Sequence, residues 1–147
     1  MIHNFYILKT NGVCVFHDCY GNLKEDPQII AGFLTAISMF AKSTIGESIK
    51  NLVTSNYKFV FCLDEDYIFV AFVDESDPFH KIQDFLKCAK DHFYHIYPEL
   101  ETKPRSYIPI GFTHFKDELE SLINSHQLSN THQTPRPVLN TALAVQK

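Results

Sequence analysis

Tryptophan is absent from the 147 residues, and no block of Lys and Arg occurs anywhere in a chain whose formal net charge is −4. Phosphate-backbone binding draws on clustered cations, so nucleic acid is excluded as a partner class. No apolar run approaches the roughly 18 residues of a membrane span. The first ten residues, MIHNFYILKT, lack a basic region followed by an apolar stretch of signal-peptide length. The chain is therefore expected in the cytoplasm, with no membrane insertion of its own. The four cysteines (Cys14, Cys19, Cys62, Cys88) form no C-x-x-C pair, which leaves neither a zinc ribbon nor a redox dithiol and implies reduced thiols. Enzyme signatures are missing too: there is no G-x-x-x-x-G-K-[ST], G-x-G-x-x-G, G-x-S-x-G or H-E-x-x-H. Ser48-Ile49-Lys50 follows Gly46 but precedes a strand pattern, so no helix amino terminus is there to receive a phosphate. These absences argue against an enzyme and against any cofactor.

Aromatic residues are plentiful, with thirteen Phe and seven Tyr. The length suits one domain able to bury about two-thirds of its unfolded surface without a disulfide or metal. The runs Phe5 to Leu8 and Val13 to Tyr20 flank Asn11-Gly12, a strong hairpin signal. Asp26-Pro27 then opens a helix over 27–44, with Asp as cap and Pro in the first turn. Three strand patterns follow, at 49–54, 57–63 and 67–73, joined by short polar turns. Asp77-Pro78 repeats the helix start signal. Its helix carries Phe79, Ile82, Phe85, Leu86, Ala89, Phe93, Ile96 and Tyr97 on one stripe and closes at Pro98. Residues 103–111 read as a crossing loop. A third helix begins near Thr113 with Phe115, Leu119, Leu122 and Ile123 inward. Polar residues then dominate, so the domain is expected to span 1–128 and a mobile tail 129–147.

The order is β-β-α-β-β-β-α-α, an α+β arrangement. YIFVAFV (67–73) and FYIL (5–8) are apolar on both faces and suit central strands, with Phe69 to Phe72 nearly inaccessible. The more polar strands two and three suit edges. A five-stranded antiparallel sheet ordered 2-1-5-4-3 meets these constraints, with one helix on one face and two on the other.

The first helix is the informative element. Phe33, Ile37, Ile30 and Phe40 centre an apolar arc and are expected to face the core, leaving Ala31, Thr35, Ser38 and Lys42 to water. The arc spans roughly 220° of the wheel, against roughly 100° for a helix covering one core. Its surplus flank, Ile29, Gly32, Ala36 and Met39, has small residues for close approach and a Met suited to adaptable binding. Two accounts fit: a partner or dimer contact on that flank, or a helix sunk in its own domain beneath the tail or long loops. A second candidate site is Cys88, His92 and His95, which share a helical stripe at i, i+4 and i+7. Zinc needs four ligands, or three and water, and no fourth is evident, so no metal is assigned. Asp64-Glu65-Asp66 lacks the spacing and Gly of a calcium loop and reads as a solvated turn.

The stretches GVCVFHDCYGNLKEDPQIIAGFLTAISMFAKS and KFVFCLDEDYIFVAFVD resemble archaeal longin-like proteins and, more distantly, eukaryotic trafficking longins. The related roadblock fold normally begins with a helix, whereas Phe5 here already lies in a strand pattern. Longins are protein-binding platforms in adaptor, tethering, membrane-fusion and GTPase-exchange assemblies. The resemblance implies a non-enzymatic scaffold for a small GTPase, for a second longin or roadblock chain, or for a homodimer. Such a protein would be peripheral to membranes through its partners. The alternative is a metal- or ligand-dependent sensor built on Cys88, His92 and His95.

Overall fold

The computed structural model describes residues 1–21, 24–101 and 112–128. Its elements are β1 (Ile2–Lys9), β2 (Cys14–Cys19), α1 (Pro27–Thr44), β3 (Asn51–Val53), β4 (Tyr57–Leu63), β5 (Tyr67–Asp74), α2 (Phe79–Ile96) and α3 (Thr113–Ser125), with a 3₁₀ turn over Pro98–Glu101. The strands form one antiparallel sheet in the order β2-β1-β5-β4-β3, as the sequence predicts. The β1–β2 hairpin turns at Gly12, whose φ of 94° suits a residue without Cβ, and the Gly12 N–H donates to the Lys9 carbonyl at 2.9 Å.

Alternation along the central strands divides the core in two. Phe5 and Ile7 of β1, Val60 of β4 and Phe69, Ala71 and Val73 of β5 point to one face, where α2 and α3 cover them. Tyr6 and Leu8, Phe61, and Ile68, Val70 and Phe72 point to the other, where α1 lies. Phe69, Val70 and Ala71 are inaccessible, and Phe72 nearly so, as expected of a strand apolar on both sides. On the two-helix face, Phe93 meets Phe69, Phe112 and Phe115 with ring centroids 5.2–5.5 Å apart, so aromatic packing joins β5, α2 and α3. The Ile2 N–H donates to the carbonyl of the buried Leu128 at 2.9 Å, which ties the end of the α3 segment to β1.

The second Asp-Pro signal works differently from its reading. Asp77 does not cap α2, whose N-cap is Pro78 with no side-chain bond. The Asp77 carboxylate instead takes the amino group of Met1, and its carbonyl accepts from the buried Lys58 ammonium. An ammonium nearby is a stronger attraction for a carboxylate than a backbone amide. The loop expected at 103–111 and the tail expected at 129–147 lie outside the described residues.

Candidate functional site

The first turn of α1 is anchored twice. The Asp26 carboxylate accepts from the Gln28 N–H at 2.9 Å, the N-cap bond the Asp-Pro signal implies. The Gln28 side chain then donates to the Gly12 carbonyl at 2.7 Å and accepts from the Cys14 N–H at 3.2 Å, clamping the helix to the β1–β2 hairpin. At the far end, the Ile45 and Gly46 N–H groups both donate to the Ala41 carbonyl, and Gly46, at φ 82°, turns the chain away.

Between these anchors the helix sits the opposite way round from the sequence expectation. Its buried residues are Ala31, Leu34, Thr35 and Ser38. Phe33 and Phe40, expected at the centre of the core face, are 52% and 60% exposed, and Ile37 is half-buried. The reason lies in the sheet. Beneath α1 stand Tyr6, Leu8, Phe61, Ile68, Val70 and Phe72, which already fill that face with large side chains. A helix approaches such a surface closely only through small residues, with one Leu filling the remaining gap. The informative stripe was therefore Ala31, Leu34, Thr35 and Ser38, at helical spacing but only partly apolar. Lys42 is exposed, as expected.

The reversal turns the apolar arc outward. Ile29, Gly32, Ala36 and Met39, the flank singled out above, are all exposed, and a Cβ built on Gly32 would meet nothing within 4 Å. Sequence reasoning missed three neighbours of this flank: Phe33, Phe40 and Ile45, the last 73% exposed. With Ala36, Ile37 and Ala41 they line a shallow groove of about 440 Å³ whose lining residues are all apolar. Chemically, such a surface can bury an apolar side chain or helix. It offers no group to transfer, protonate or coordinate.

The metal candidates do not converge. His92 Nδ1 pairs with Glu118 at 2.9 Å across α2 and α3, Cys88 is half-buried, and His95 is exposed. Among the described residues no group of three His, Cys, Asp or Glu side chains could hold a metal ion. All four cysteines are free thiols. Burial pushes the Cys14 and Cys62 thiols up, which disfavours the thiolate a nucleophile needs. The acidic turn is internally bonded: Asp64 accepts from the Asp66 and Tyr67 N–H groups and from the Tyr94 hydroxyl.

Comparison with known proteins places this geometry. The model of the first longin domain of FUZ, MON1 and HPS1 matches residues 3–101, from β1 through the turn after α2. No curated protein sequence matches the chain. Among solved structures, Myxococcus xanthus MglB superposes with a TM-score of 0.53 at 18% identity, over 67% of this chain and 85% of that one. The gliding protein MglB of Thermus thermophilus gives 0.49 at 12% identity, over 56% of this chain and 67% of that one. At such identities the likeness to Myxococcus xanthus MglB is one of fold.

Proposed function

The chain belongs to the family of the first longin domain of FUZ, MON1 and HPS1, and we propose that it is a non-enzymatic docking module whose α1 outer face receives a protein partner. The observation that carries this reading is the orientation of α1. Small and polar residues satisfy the sheet, while Ile29, Phe33, Met39, Phe40 and Ile45 are left outside around an apolar groove. Contiguous exposed apolar surface of this kind marks interaction sites more often than bare monomer surface. The partner is a small GTPase, a second longin or roadblock chain, or a second copy of this chain, in an assembly that regulates a GTPase or serves membrane traffic. The module works in the cytoplasm and reaches membranes through its partners. In support, no helix among the described residues is long and apolar enough to cross a membrane.

Ala36→Glu tests the proposal. The position is exposed and lines the groove, so a carboxylate there leaves the sheet-facing residues untouched. The variant is expected to keep the wild-type circular dichroism and unfolding midpoint while losing dimerisation, followed by light scattering, or binding to a purified small GTPase or longin chain. Unchanged association would remove α1 from the interface.

A further inference from the structure

Along the outside of α1 the exposed apolar residues keep a regular spacing. Ile29, Phe33, Ala36 and Phe40 recur at intervals of four, three and four, so they fall on one line along the helix. That line runs opposite the buried Ala31, Leu34, Thr35 and Ser38. Ile29, Phe33 and Phe40 are each more than half exposed, and Ala36 is exposed as well. Alternating intervals of three and four are what a second helix requires of a surface it lies along, whereas a strand has a period of two. The occupant that fits this seam is therefore an α-helix.

We propose that this helix is α1 of a second copy, laid antiparallel, so that two domains meet helix to helix with a sheet on either side. The inference rests on the docking reading above and names its partner. Size complementarity favours the copy. An antiparallel pair with its two-fold axis midway between the levels of Phe33 and Ala36 sets Phe33 of each copy against Ala36 of the other. The same axis sets Ile29 against Phe40 and Gly32 against Ile37, so large and small residues alternate across the seam. A parallel pair sets Phe33 on Phe33 and Ala36 on Ala36, which crowds one level and leaves the next underfilled. Charge favours it too. No charged side chain occurs on α1 before Lys42, so two copies approach without like charges meeting. Antiparallel order brings Lys42 close to the level of Asp26 at the start of the other helix, and it opposes the two helix dipoles.

The area sets the strength. A whole aromatic side chain buries roughly 150–250 Å², so covering the exposed parts of Phe33, Phe40, Ile29 and the small residues between them buries roughly 800–1,000 Å² over both copies. That lies below the standard interface, so the dimer is expected to dissociate between about 1 μM and about 1 mM.

Sedimentation equilibrium of the full chain tests both the partner and the register. The wild type should pass from monomer to dimer within that concentration range. Ala36→Glu and Phe33→Lys should each stay monomeric throughout it, because a charge then faces an apolar layer twice. Both positions are exposed, so circular dichroism should match the wild type. Mixed one to one, the two variants should form a heterodimer at least about tenfold tighter than either forms alone. The introduced carboxylate and ammonium meet in one layer, and the native contact of Phe33 with Ala36 survives in the other. Val53→Glu, on the exposed edge strand β3, should associate as the wild type does. A wild type still monomeric at about 1 mM overturns the proposal. So does a dimer that the mixture fails to restore, or one that Val53→Glu abolishes. If Ala36→Glu meanwhile loses a purified small GTPase or longin chain that a monomeric wild type binds, the docking reading stands without the self-pairing.

Discussion

Thr35 and Ser38 are buried hydroxyls facing a sheet of Tyr, Phe, Leu, Ile and Val, and neither oxygen has a partner among the described residues. A buried hydroxyl left unpaired costs about 1–3 kcal/mol. Thr35 does not line the groove on the outer face of α1. Thr35→Val keeps the shape and removes the oxygen, so it should raise the unfolding free energy in urea by about 1 kcal/mol. A loss of that size would mean that the hydroxyl is satisfied in solution. His17 presents a second residue-scale test. Its ring stacks on Tyr6 at 4.9 Å, and with the ring neutral its Nε2 accepts from the Asn4 amide at 3.0 Å. Burial pushes the imidazole below 6.5, against a weaker opposing pull from Asp18. The folded pKa is depressed, so the folded state binds this proton less readily than the unfolded chain. The contribution is therefore fully present above the unfolded value of 6.5 and is lost as pH falls below it through the depressed folded value. Unfolding free energy should drop as pH falls below about 6.5, and drop less in His17→Gln. Equal slopes in the two proteins would remove His17 from the account.

At the scale of elements, β5 carries the fold. It pairs on both sides, with β1 and β4, and its seven residues from Tyr67 to Val73 are all buried. Phe69 packs against Phe93 and Tyr94 of α2. Phe69→Ala should cost about 3–5 kcal/mol in chemical denaturation. A loss below about 1 kcal/mol would mean that the two-helix core repacks around the gap. This strand was readable from sequence because unbroken apolar runs suit sheets covered on both faces, and Asn11-Gly12 and Asp26-Pro27 punctuated the chain where turns and caps form. The orientation of α1 was not readable by the same rule. The most apolar arc faces the core only when the core has room for it, and here Phe61, Ile68 and Phe72 had taken that room. The chemistry of the docking flank was visible in Gly32, Ala36 and Met39, but its breadth depended on a rotation that the sheet imposes. Asp77 shows the same limit: its neighbours in sequence suggest a cap, while its neighbours in space, Met1 and Lys58, decide its bonds.

At the scale of the whole molecule, the sheet has a well-filled aromatic core under α2 and α3 and a helix on the opposite face whose bulkiest side chains point outward. Phe33 and Phe40 contribute little to the domain's own core, so the account assigns their burial to a partner. Site-specific photo-cross-linking from position 36 measures this directly. With a benzophenone side chain replacing Ala36, the account predicts an adduct whose mass identifies a small GTPase, a longin or roadblock chain, or a second copy of this protein. A wild-type chain that is monomeric and cross-links only to its own residues 129–147 would contradict the account, because the apolar face of α1 would then be part of the domain's interior.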